Sequence, residues 1–143
     1  MRTVAPTLQP SGGLEAEAHT MDRKKILLVD DSSTVLLMER MILSKNEYDV
    51  VTARDGQEGV EKALAEKPDL ILMDVVMPRM DGFEACRRLR EQDDTKSIPV
   101  IMVTTRGELA SVETGYASGC NDYVTKPING LELLAKVKSC LGQ

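Results

Sequence analysis

The chain has 143 residues, 42% of them hydrophobic and 29% charged, with a formal net charge of −5 at pH 7. That length builds one domain with a proper core and is too short for two of ordinary size. The mildly negative balance excludes the broad basic face of a nucleic-acid footprint, and no apolar run approaches the ~20 residues that span a bilayer. Cys86, Cys120 and Cys140 are odd in number, scattered and without a CxxC pair. They point to buried thiols in a reducing compartment, not to disulfides or zinc.

Residues 1–21 are set apart by Pro6, Pro10, Ser11, Gly12 and Gly13 and by the lack of any apolar period. They are expected to be a disordered leader or tag, with the folded domain at 22–143. Met21 offers an alternative start. No basic segment followed by an apolar one opens the chain, so no secretory signal is predicted. His19 lies in this leader and has no helical-hairpin context for phosphorelay.

Ile26-Leu27-Leu28-Val29 is a short apolar run ending at Asp30-Asp31 and predicts a buried strand. Val35, Met38 and Ile42 then recur at helical spacing. Val50 to Ala53 predicts a second strand. Val60, Ala63 and Leu64 mark a second helix, stopped by Pro68. Leu70 to Met73 is a third strand ending at Asp74. Phe83, Cys86 and Leu89 mark a third helix, and Ile98 to Val103 a fourth strand ending at Thr104. Leu109, Val112 and Tyr116 give a fourth helix, broken near Gly119. Asp122 to Thr125 is a short fifth strand. Leu131, Leu134, Val137 and Leu141 mark the last helix.

Continuous apolar strands alternating with amphipathic helices predict an α/β fold: a doubly wound, five-stranded parallel sheet with five helices. One sequence does not fix the strand order. The flavodoxin-like order 2-1-3-4-5 is the natural candidate, with the functional crevice at the carboxyl ends of the strands. Those ends carry Asp30, Asp31, Asp74 and Thr104, with Lys126 just past the fifth strand. Singly, each reads as a helix cap or a turn residue. Together they gather three carboxylates, a hydroxyl and an ammonium. Clustered carboxylates repel one another, and a hard divalent cation relieves the repulsion. Mg²⁺ (or Mn²⁺) suits the set, because it takes few carboxylates and keeps room for a phosphate oxygen.

Several segments resemble the signature of the response-regulator receiver domain. They are Leu27 to Asp31, Pro68 to Pro78, Met80-Asp81-Gly82, Pro99 to Thr104, and Gly119 to Pro127. The resemblance runs from about Asp22 to the end of the chain. It implies Asp74 as phosphoacceptor, with Asp30, Asp31, Asp74 and the Val76 backbone carbonyl as metal ligands. It implies Lys126 as the phosphate-pairing lysine, Thr104 as the switch hydroxyl beside Thr105, and Tyr123 as the switch aromatic. Pro127 matches the proline preceded by a cis bond in that family. Val76 and Arg106 match positions that flank the path of the hydrolytic water.

Thr105 stands where a smaller residue is usual and is expected to slow phosphoryl access without abolishing it. Cys120 and Ile128 also depart from the common pattern, and neither removes a group the site needs. Arg87, Arg88 and Arg90 read as a solvated helix face. Met77 and Met80 are expected in the loop beside the site.

The resemblance implies a cytoplasmic switch in a two-component phosphorelay, not an enzyme turning over an external substrate. A sensor histidine kinase or a histidine phosphotransfer protein would donate the phosphoryl group. The surface of the fourth helix, fifth strand and fifth helix would signal to an effector protein, without direct contact to nucleic acid or membrane. A stand-alone receiver is expected, monomeric or weakly dimeric when phosphorylated. Other readings fit less well. A phosphatase of the haloacid-dehalogenase type needs an acid two residues past its nucleophile, where Val76 or Ser32 stands. A nucleotide-binding flavodoxin-like protein lacks its glycine-rich cradle. A pseudo-receiver is disfavoured by the complete Asp/Asp/Asp/Thr/Lys set.

Overall fold

The computed structural model describes residues 23–105 and 109–143. Its strands are β1 (Lys25–Val29), β2 (Asp49–Ala53), β3 (Leu70–Asp74), β4 (Val100–Thr104) and β5 (Asp122–Thr125). They alternate with α1 (Ser33–Lys45), α2 (Gly56–Glu66), α3 (Gly82–Arg90), α4 (Leu109–Ala117) and α5 (Gly130–Leu141). All pairings are parallel, in the order β2-β1-β3-β4-β5, as expected. The order reverses between β1 and β3, which is where such sheets open a crevice.

Both faces of the sheet are covered, so the strands are apolar on both sides. In β1, Ile26 and Leu28 pack with Leu36 and Leu43 of α1 and with Leu133 and Val137 of α5. Leu27 and Val29 point the other way, onto Val60 and Ala63 of α2 and Ala85, Cys86 and Leu89 of α3. Every residue of β3 and of β4 is buried. Cys120 joins the second layer as a buried thiol. No described helix is long and apolar enough to cross a membrane.

Side-chain caps set the helix starts. Ser32, Asp55, Asp81 and Asn129 each accept a hydrogen bond from the amide three residues on. Several expectations shift. In α1 the stripe packed on the sheet is Leu36, Glu39 and Leu43, which are buried. Val35 and Ile42 are only half-buried, and Met38 is exposed. Each residue turns a helix by ~100°, so a one-residue change of phase exchanges one stripe for its neighbour. In α5 the inward pair is Leu133 and Val137, four apart, while Leu134 and Leu141 are half-buried. Leu131 lies two residues from Leu133, on the opposite face, and is 82% exposed. β4 begins at Val100 and not at Ile98, because Pro99 has no N–H to give the ladder. α2 ends at Glu66 with Lys67 in the left-handed region, just before Pro68. In α4, Val112 is half-buried and Tyr116 is exposed. Gly119, at φ +101°, turns the chain from α4 towards β5.

Candidate functional site

The strand ends converge at one edge of the sheet. Asp30 follows β1 and is 1% exposed, Asp74 closes β3 at 4%, and Asp31 is open to solvent. Each offers one carboxylate oxygen, and the three oxygens lie within 4.8 Å of one another. Asp30 Oδ1 accepts from the Ser32 amide at 2.8 Å. Its buried Oδ2 has no hydrogen-bond partner and faces Lys126 Nζ across 3.4 Å. Lys126 Nζ lies 3.2 Å from Asp74 Oδ1. The Lys126 amide donates to the Thr104 carbonyl at 2.6 Å, tying the lysine to the end of β4, and the Lys126–Pro127 peptide is cis.

Burial and the Asp30 charge push the Asp74 carboxyl up to about 6, against the pull of Lys126. Lys126 is raised: burial works against its charge, but Asp74 and Asp30 outweigh it. An under-satisfied buried oxygen in a set of three carboxylates is what a hard cation would complete, so these side chains fit a Mg²⁺-type ion. The pocket's shape depends on Gly82. A Cβ there would stand 2.2 Å from the Asp74 carbonyl oxygen, while its amide donates to Val75 O at 2.9 Å. Only glycine lets α3 start this close to the end of β3.

The remaining expected residues surround this centre. Val76 lies in the loop after β3 and is 70% exposed. Met77 is buried and Met80 half-buried in the same loop. Thr104 is buried at the end of β4, and Thr105 beyond it is exposed. Tyr123 is half-buried one strand over, 6.4 Å from the Tyr116 ring in an edge contact. Lys136 Nζ sits 4.7 Å from the Tyr123 ring centroid, donates to the Tyr123 carbonyl, and pairs with Asp122 at 3.4 Å. Arg106 and the expected leader at 1–21 lie outside the described residues.

Two neighbours of the site were not anticipated. Glu39 of α1 is 1% exposed, with Oε2 unpartnered. Burial first, and then the charge of Asp30, raise its pKa to about 8. A glutamate inside the Leu36–Leu43 stripe would have signalled it, had the helix phase been known. Arg54, just past β2, donates from its guanidinium to the Asp31 carbonyl at 3.1 Å.

Known proteins resemble this chain in sequence and fold. The family model for the response regulator receiver domain matches residues 26–138. Over 118 residues the chain is 42% identical to the alkaline phosphatase synthesis transcriptional regulatory protein PhoP of Bacillus subtilis, covering 82% of this chain and 48% of that protein. It is 41% identical over 117 residues to protein PilH of Pseudomonas aeruginosa, covering 82% and 97%. The chain therefore spans about half the length of PhoP and nearly all of PilH. The receiver domain of a sensor histidine kinase from Pseudomonas aeruginosa, solved with a magnesium ion in its active-site cleft, aligns with a TM-score of 0.79 at 30% identity, covering 85% of this chain and 99% of that one.

Proposed function

Because this chain belongs to the response regulator receiver family, the phospho-accepting switches of two-component signalling, we propose that Asp74 is its phosphoacceptor. The observation that carries this reading is the buried Asp74 carboxylate, 3.2 Å from the Lys126 ammonium and grouped with two further carboxylates. An Asp74 oxygen attacks the donor's phosphorus, the bond from phosphorus to the leaving nitrogen or oxygen breaks, and an acyl phosphate forms. Asp30, Asp31 and Asp74, with the Val76 carbonyl, would hold Mg²⁺ (or Mn²⁺), which when bound supplies positive charge to offset that of the transferred group.

Lys126 neutralises Asp74 before transfer and is placed to pair with a phosphate oxygen afterwards. Thr104 offers its hydroxyl to the new phosphate, with Thr105 beside it. Tyr123 responds behind Thr104 and alters the α4–β5–α5 face. A protein effector reads that face, and a sensor kinase or phosphotransfer protein in the cytoplasm is the donor. Residues 22–143 form the receiver unit, and 1–21 a leader outside it.

The reading is tested by treating the full chain with acetyl phosphate and Mg²⁺ and weighing the intact protein. One phosphoryl adduct is expected, lost in Asp74→Asn. An adduct that persists in that variant and maps elsewhere overturns the assignment.

A further inference from the structure

We propose that Arg54 receives the donor's phosphoryl group at the mouth of the pocket, as an anion-binding residue outside the Asp/Thr/Lys set. The proposal rests on Asp74 being the acceptor.

Parallel pairing sets Val29 beside Ala53, and the Asp30 amide donates to the Ala53 carbonyl at 3.1 Å. The residue after β2 therefore emerges next to the acidic end of β1. That residue is Arg54, and its Nη2 donates to the Asp31 carbonyl at 3.1 Å. The guanidinium thus lies along the backbone of a residue whose carboxylate belongs to the pocket.

The loop that carries Arg54 is pinned. The Arg54 amide donates to Glu58 Oε1 at 2.7 Å, and the Glu58 amide donates to Asp55 Oδ1 at 2.8 Å, so Glu58 ties both residues to the first turn of α2. A Cβ on Gly56 would stand 2.8 Å from the Met80 carbonyl oxygen, so this loop packs directly on the loop after β3. The base of Arg54 is held between the two loops that frame the pocket.

Charge pairing separates Arg54 from the cations near it. Lys126 is matched by Asp74 and Asp30. Arg79, on the loop after β3, pairs with Asp55 at 3.3 Å. Among the described residues, Arg54 has no carboxylate within ion-pair distance, and its guanidinium makes only the one bond to Asp31 O. Its remaining N–H donors form the planar fork that matches phosphate oxygens. A donor's phosphoryl group arrives as an anion at a cluster of three carboxylates. A fixed, uncompensated cation at the rim counters that repulsion and orients the group for in-line attack. The ligand class is a labile phosphoryl group on oxygen or nitrogen.

The test uses the full chain with acetyl phosphate and, separately, phosphoramidate. In Mg²⁺ buffer, Arg54→Ala should lower the second-order rate constant of phosphorylation by about tenfold, as expected for losing a charge-assisted contact. Arg54→Lys should recover much of it, and Arg79→Ala should stay within about twofold of wild type because Asp55 already neutralises Arg79. The rate should fall with ionic strength in wild type and respond less in Arg54→Ala. Calorimetric Mg²⁺ affinity should be unchanged in all three. Wild-type rates in Arg54→Ala, or a fall in Mg²⁺ affinity that matches the fall in rate, overturn the proposal. If the wild type itself takes no phosphoryl group on Asp74, the acceptor reading fails instead.

Discussion

Val76, two residues beyond Asp74, is 70% exposed to solvent. Its side chain offers neither donor nor acceptor, so it cannot hold a water in line with the proposed aspartyl phosphate. Orientation is a large part of the barrier in such a hydrolysis. Val76→Asn should therefore shorten the phosphate lifetime of the isolated protein about tenfold, without preventing phosphorylation. A decay time course in Mg²⁺ buffer checks this, and wild-type decay as fast as the variant's would sink it.

At this scale the sequence was legible where chemistry coincides with a strand end. Asp30, Asp31, Asp74, Thr104 and Lys126 each follow or close an apolar run, and the sheet brings them to one edge. Glu39 was not legible, because a helical residue is inside or outside according to phase alone. Arg54 was not legible either: in sequence it is one more charge in a solvated turn, and its meaning comes from the pairing of β2 with β1.

Among the elements, α4, β5 and α5 hold Tyr123, the proposed switch aromatic, between them. The Tyr116 ring meets Tyr123 edge-on, and Lys136 spans from the Tyr123 ring and carbonyl to Asp122. Movement of Tyr123 has to disturb both helices. Adding beryllofluoride and Mg²⁺ should shift the amides of Tyr116, Tyr123 and Lys136 in a ¹⁵N spectrum, as well as those of the pocket. Shifts confined to the neighbourhood of Asp30, Asp31 and Asp74 would count against this route. The elements themselves could be read from strand runs and helical spacing, since the fully buried strands are continuous in apolar residues. Inward faces were harder. Met38 and Leu131 carry the right side-chain type on the wrong side of their helices, because the stripes that meet the sheet run through Leu36 and Leu43 and through Leu133 and Val137.

For the molecule as a whole, two carboxyls titrate well above their ordinary values: Glu39 near 8 and Asp74 near 6. The folded state keeps protons that the unfolded chain has already released at those pH values. Their effect is therefore destabilising, absent below about pH 4 and growing as pH rises through each folded pKa. For Glu39 alone this amounts to about 3–5 kcal/mol as an upper bound. Metal-free protein should melt several degrees higher at pH 5.5 than at pH 8.5. Glu39→Gln should remove much of that difference and raise the Tm at pH 8.5 by about 5 °C or more. Mg²⁺ should narrow the wild-type gap by offsetting the pocket carboxylates. A melting temperature indifferent to pH across this range would show that the buried carboxyl is otherwise compensated.

The two halves of the Asp74–Lys126 pair stand on β3, in the middle of the sheet, and just past β5, at its edge. During synthesis, β1 and β3 leave the ribosome well before the segment carrying Lys126. A nascent or nicked chain that has not yet docked its edge strand therefore presents bare acid and no partner ammonium. The pairing of Asp74 with Lys126 is therefore a long-range contact that exists only once β5 has closed the sheet.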